Sequence, residues 1–173
     1  MFKTKYFLLL WIITCGCVPV MWAQDAAEYT NKTVGLSFSY PESWQREENP
    51  EKILILSPGW VQNLKAKAAF GIQFTPLNYA KDKTLKEYFT ELMRDGAYSY
   101  GEPDTVIVAE KKWLHAKVTE LEANIRGEIF LLKYNNILYV MTIAYQPGES
   151  SKRFMPVLER IVQSLKLTEV SGG

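Results

Sequence analysis

The sequence predicts an α+β fold, a central antiparallel sheet of about six to seven strands flanked by helices on both faces. Three observations lead there. Segments that alternate at period two outnumber helical ones and fall in two blocks around a single capped helix, which is not the strand-helix alternation of βαβ units. Turn residues sit between consecutive strand segments, and short turns join antiparallel neighbours. Finally, the segment 137–146 is apolar on both of its alternating faces, as a central strand covered on two sides should be.

The chain opens with Lys3 and Lys5 ahead of an unbroken apolar run from Tyr6 to Ile13. That run is short of the roughly 20 residues needed to span a bilayer. Residues 1–23 therefore read as an export signal, cut between Ala23 and Gln24, although Met21 is larger than the residue usual three positions before a cut. Cys17 supports a second reading, a lipid-modified cysteine at the mature N-terminus; Gly16 suits it, while Thr14 and Cys15 fit it poorly. Both cysteines lie inside this segment, so a chain cut after Ala23 has no disulfide, thiol nucleophile or cysteine metal ligand.

Residues 24–32 are polar and read as a flexible leader, 33–168 as the folded domain, and 169–173 as a fraying tail. In the domain, Leu36, Phe38 and Tyr40 alternate with Ser37 and Ser39 until Pro41 stops the strand, and Trp44 is expected to fold back as core. Ile53 to Ser57 and Phe70 to Leu77 are the next two strands, separated by the connection 59–69, which holds Trp60. Thr84-Leu85-Lys86-Glu87 is a capping box, so a helix starts there, buries Leu85, Tyr88, Phe89 and Leu92, and ends near Gly96 in a left-handed cap.

Asp104 to Ala109, Trp113 to Leu121, Ile125 to Tyr134 and Ile137 to Gln146 follow as strands. Asn135-Asn136 supplies the last tight turn, because asparagine tolerates positive φ. Phe154, Val157, Leu158, Ile161, Val162 and Leu165 recur at helical spacing, and Pro156 near the first turns places the helix start at about Phe154.

Composition narrows the function. The 173 residues are 47% apolar and 23% charged, the balance of an ordinary single-domain globule. Removing Lys3 and Lys5 leaves 18 basic against 19 acidic residues, with no clustered surplus of Lys and Arg to recruit nucleic acid or an anionic membrane. Membrane attachment is left to the lipid-anchor reading alone, and the chain is expected to be a monomer.

His115 is the one histidine and the natural general-base candidate, on the strand face of Trp113, Lys117 and Thr119; a hydrogen-bonded or solvent-facing strand histidine is the favoured reading. No nucleophile elbow, paired-histidine zinc helix or EF-hand loop is present, so no catalytic and no metal residues are assigned. Asp82, Glu87 and Glu91, with Glu120, Glu122 and Glu128, would have to gather in space to hold calcium, and interleaved Lys83, Lys86, Lys117 and Arg126 favour solvated surface charge instead. Asn31-Lys32-Thr33 fits the glycosylation pattern and is expected to be inert in a bacterial exported protein. Trp60, Tyr98 and Tyr100 place large aromatics in connections and are the candidate partner contacts.

The order Gly35-Leu36-Ser37-Phe38-Ser39-Tyr40-Pro41 with Trp44, then Thr84-Leu85-Lys86-Glu87-Tyr88-Phe89, Leu138-Tyr139-Val140-Met141-Thr142, and Ile161-Val162-Gln163-Ser164-Leu165-Lys166-Leu167 resembles the PsbP and PsbP-like family and the related bacterial DcrB-type exported proteins, over about Tyr29 to Leu167. The resemblance implies an α/β/α sandwich without a shared catalytic centre. It implies an extracytoplasmic setting: periplasmic, secreted or thylakoid-lumenal. Family members include subunits and assembly factors of photosystem II, some linked to calcium or other divalent metals; no cofactor is expected here, and calcium or another divalent metal is implied by the resemblance alone. A single histidine matches no metal-binding set, and the basic extension of plant-type subunits is missing. The expectation is a non-enzymatic accessory protein that contacts an unidentified protein or envelope complex, with a photosystem II associated subunit as the alternative.

Overall fold

The computed structural model describes residues 25–59, 68–77, 83–94, 96–121 and 124–170. The export segment with Cys17, Ala23 and Gln24, and the connection holding Trp60, lie outside the described residues. So do Asp82 and Glu122.

Among the described residues, eleven strands and two helices follow in order: β1 (Ala26–Asn31), β2 (Leu36–Pro41), β3 (Gln45–Asn49), β4 (Lys52–Leu56), β5 (Ala68–Pro76), α1 (Leu85–Leu92), β6 (Tyr98–Tyr100), β7 (Asp104–Val108), β8 (Lys111–Glu120), β9 (Ile125–Tyr134), β10 (Ile137–Tyr145), α2 (Glu149–Ser164) and β11 (Lys166–Leu167). The main sheet has eight strands in the order β3-β4-β5-β10-β9-β8-β6, with β7 also paired to β8. Strands β1, β2 and β11 form a second, three-stranded sheet. Each of these pairings is antiparallel.

The expected six to seven strands are therefore too few, and the helical cover is thinner than a full layer on each side. Two of the extra strands were hidden by polarity or brevity: β3 is exposed at all five positions, and β6 is three residues long. The leader was expected to be flexible, yet β1 occupies most of it. Tyr29 is buried against Phe38, with ring centroids 5.0 Å apart, and the register pairs Ala26 with Pro41 through Asn31 with Leu36. One large apolar side chain facing inward is enough to seat a strand on a neighbour with open hydrogen-bonding groups.

Alternation along β10 explains the layering. Tyr139, Met141 and Ile143 join Phe70, Ile72, Phe74 and Trp113 on one face, where α2 contributes Leu158 and Ile161 and the small sheet contributes Leu36 and Phe38. Val140 belongs to the other face, where α1 sets Phe89 and Met93 on Ala116, Ile129 and Leu131. One described helix lies on each face, and β10 occupies the middle of the strand order, as its two apolar faces require. Trp44 is core as expected, edge-on to Phe154 of α2 at 5.8 Å.

Three local features fix the frame. Asn135 and Asn136 adopt φ of 50° and 60° between paired Tyr134 and Ile137, the two-residue hairpin that the sequence called for. Gly35 turns β1 into β2 at φ +64°, and its carbonyl accepts the Thr168 amide at 2.8 Å, tying the C-terminal end to the small sheet. Tyr139, fully buried, donates its hydroxyl to the Val34 carbonyl and so joins the two sheets; burial pushes its phenol up to about 12.

Two helix ends depart from expectation. Helix α2 begins at Glu149, one and a half turns before Phe154, because the Gly148 carbonyl accepts both the Ser151 amide at 3.1 Å and the Ser151 hydroxyl at 2.7 Å, closing the first turn early. Pro156 is thus interior to the helix, where its missing amide costs a backbone bond. At α1 the C-cap is Met93 with φ −95°, while Gly96 takes its positive φ of 73° in the turn towards β6. Among the described residues no helix is long and apolar enough to cross a membrane.

Candidate interaction site

The capping box at α1 forms as the sequence indicates. The Glu87 amide donates to the Thr84 hydroxyl oxygen at 3.2 Å, and the Thr84 amide donates to the Glu87 carboxylate at 2.6 Å. That backbone bond holds the Glu87 carboxyl below the usual carboxylate range. The cap fixes where the short helix starts and hence where Phe89 descends onto the sheet. Of the expected apolar stripe, Phe89 is buried, whereas Leu92 is exposed.

Tyr98 and Tyr100 stand where the sheet ends beside this helix. Their strand, β6, pairs Tyr98 with Glu120 and Tyr100 with Val118. The Tyr100 ring meets Phe89 at 5.1 Å and an interplanar angle of 90°, an edge-to-face contact. Both tyrosines, Leu92 and Leu121 are exposed. Leu92 and Tyr98 border a groove of about 490 Å³, whose lining also includes Leu54, Leu56, Met93, Val118 and Val140.

The backbone of β6 adds a second feature. Leu121 donates its amide to the Ala97 carbonyl at 3.1 Å, and Gly101 donates to the Lys117 carbonyl at 3.0 Å. Residues 97, 99 and 101 therefore turn their hydrogen-bonding groups towards β8, and by alternation Tyr98 and Tyr100 turn theirs away from the sheet. The opposite edge is built differently: β3 carries Arg46, Glu47 and Glu48 on a fully exposed strand, the charged edge that discourages added strands.

Along β8, β6 and β7 are two halves of one edge. Asp104 pairs with His115 and Tyr100 with Val118, so residues 101–103 oppose residues 116–117, a one-residue bulge that accommodates Pro103.

His115 sits on the expected face, and both of its nitrogens are engaged. Nδ1 lies 2.7 Å from a carboxylate oxygen of Asp104, Nε2 lies 3.0 Å from one of Glu128, and the ring leans on Phe130 at 4.7 Å. The residue is buried. A general base needs a free ring nitrogen facing a substrate, and here each nitrogen faces a carboxylate instead. The residues flanking His115 in this arrangement were not foreseen. The two-residue turn at 109–110 was the signal, because it sets Val108 opposite Lys111 and thereby Asp104 opposite His115.

Of the acidic residues considered for calcium, Glu87, Glu91 and Glu128 each have a different partner. Glu91 accepts from Lys83 at 2.7 Å, Glu87 closes the cap, and Glu128 serves His115. Among the described residues no group of three or more histidine, cysteine or carboxylate side chains is arranged to hold a metal ion. Asn31 of the glycosylation pattern donates its side-chain amide to the Tyr29 hydroxyl at 3.3 Å, while its side-chain oxygen accepts the Thr33 amide at 3.0 Å; it works as a turn residue.

No protein-family model matches the chain, and no curated protein does. Solved structures do. The solution structure of cyanobacterial PsbP (CyanoP) from Synechocystis sp. PCC 6803 superposes with a TM-score of 0.60 at 10% identity, covering 90% of this chain and 98% of that one. A crystal structure from Bacteroides thetaiotaomicron reaches 0.56 at 16% identity; it covers 84% of this chain, which spans only 49% of that protein. The Ran-binding protein Mog1p of Saccharomyces cerevisiae reaches 0.52 at 9% identity, with 84% and 96% covered. At these identities the likeness establishes a shared fold: the chain has a PsbP-like fold.

Proposed function

We propose that this chain is a non-enzymatic, exported accessory protein that binds another protein, or an envelope complex, at the β6 end of its sheet. The observation that carries the reading is the coincidence of an open strand edge at Tyr98 and Tyr100 with the groove that exposed Leu92 and Tyr98 border. An extended polypeptide segment satisfies both at once. Its backbone pairs with the outward amides and carbonyls, and its alternate side chains reach the groove. The engaged nitrogens of His115 favour contact over catalysis. Export rests on the basic start and apolar run of residues 1–23. Mog1p, named for binding Ran, offers a precedent for a protein-binding role on this fold.

Intact-cell crosslinking of the wild type and of a Tyr98→Ser/Tyr100→Ser variant tests the reading. A heavier adduct present with the wild type and absent with the variant is expected. Recovery of monomer alone, under conditions that trap other envelope complexes, would remove it.

A second reading, attachment to photosystem II, draws on the superposition with cyanobacterial PsbP. It predicts slowed oxygen evolution when the gene is deleted from a host that makes the photosystem. A source organism lacking the photosystem ends it.

A further inference from the structure

We propose that His115 is a proton-operated latch for the outer edge strand of the main sheet. It holds the Asp104 end of β7 when its ring carries two protons and releases that end when one leaves. The inference rests on the clamp around the ring and stands whether or not the β6 edge binds a partner.

The ring faces one carboxylate at each nitrogen, at 2.7 Å and 3.0 Å. A neutral imidazole has one N–H and one lone pair, whereas the imidazolium donates at both nitrogens. With both carboxylates ionised, only the doubly protonated ring makes both bonds. A neutral ring must give one up, and its lone pair then faces an anion.

Exposure decides which bond goes. The Asp104 side chain is 65% exposed and the Glu128 side chain 23%. Water replaces the ring readily at Asp104, whereas Glu128, less accessible and set on an interior strand, loses more by going unpaired. The neutral ring therefore keeps its N–H on Nε2 for Glu128, and Nδ1 lets Asp104 go.

The surroundings make the release local. Asp104 comes from β7 and Glu128 from β9; Lys117, on the face of His115, is the charged residue in register with Glu128. Beyond Phe130 the register residue on β10 is the uncharged Met141. Glu102 is the charged residue of the adjoining bulge.

What the latch holds is the Asp104 end of an edge strand whose other inward residues, Val106 and Val108, pack on the core. Strand β7 pairs with β8 alone. At its far end Ala109 and Glu110 turn with φ of 49° and 61°, an unfavourable region for residues with a Cβ, and Trp113 pins that end by donating its indole N–H to the Val108 carbonyl at 3.0 Å. The near end joins the bulge at 101–103 and has the His115 bond. Losing that bond frees the Asp104 end of β7 beside the bulge, while Val106 and Val108 stay on the core, and bares the edge of β8 at His115.

Because the chain has a single histidine, the experiment reads one site. Amide exchange of the purified chain is followed from about pH 5 to pH 8.5, corrected for intrinsic exchange, with the ring nitrogen shifts of His115 recorded on the same samples. Protection of residues 104–106 should fall on the order of tenfold in step with loss of the second ring proton, while β3 and β10 keep theirs. His115→Gln and Asp104→Asn should each flatten the step; the latter changes an exposed side chain and keeps the test sound if the former fails to fold. A flat wild-type profile across the ring titration, or a step that survives in Asp104→Asn, overturns the proposal.

Discussion

Replacing Tyr139 by Phe removes one oxygen from the joint between the two sheets and leaves the ring in place. The tyrosine is fully buried in mid-sheet, and its hydroxyl donates to the Val34 carbonyl in the β1–β2 turn. Without the donor that carbonyl is left buried and unpaired, which costs roughly 1–3 kcal/mol at neutral pH. The loss has a second signature at high pH. The phenol ionises at about 12 in the folded chain, chiefly because burial disfavours its anion, and near 10 when unfolded. A folded value raised above the unfolded one means that this stabilisation is complete below about pH 10 and is lost as pH rises through 12. By about pH 11 the wild type has lost about 1.4 kcal/mol from this residue, since the unfolded phenol is mostly ionised and the folded one is not. Phenylalanine has nothing to ionise, and the other tyrosines are common to both proteins. Urea unfolding at about pH 7 and about pH 11 should therefore show the variant less stable at the lower pH and the gap narrower by about 1.4 kcal/mol at the higher one. A variant as stable as wild type at neutral pH, or a gap that does not change, refutes the reasoning.

Other substitutions separate framework from surface. Thr84→Ala removes the hydroxyl that caps α1 and should cost about 1 kcal/mol in urea unfolding. Phe89→Ala empties the contact between α1 and the sheet and should cost roughly 3–5 kcal/mol, whereas Leu92→Ser, one turn on but exposed, should stay within about 0.5 kcal/mol. Gly35→Ala forces a Cβ into a positive-φ turn and against the Thr168 carbonyl, so a fall in melting temperature and loss of amide protection at Thr168 are expected.

Much of this architecture is legible in the sequence because local chemistry and tertiary need coincide. Thr84 and Glu87 cap a helix by themselves, Asn135-Asn136 supports a tight turn by itself, and the doubly apolar stretch 137–145 can only be central. What the sequence hides is what only the assembled sheet defines. Strand β3 has no apolar face, so its period is invisible, and it exists because β4 offers an edge. Strand β1 contributes one buried ring in a polar stretch. The start of α2 is set by two bonds to the Gly148 carbonyl, which composition does not announce. The candidate site divides in the same way. Tyr98 and Tyr100 stand out as aromatics in a connection, but that they sit on an open edge beside Leu92 and Leu121 follows from register alone. Asp104 and Glu128 meet at His115 for the same reason.

The proposal of a binding surface at one edge and not the other is tested most directly by photo-crosslinking in intact cells. A photoreactive residue is placed at Tyr100 in one protein and at Glu47, on the opposite edge, in another. A specific heavier product from the Tyr100 position, with none from Glu47, is the result predicted. Equal products from both edges, or none from either, would contradict it.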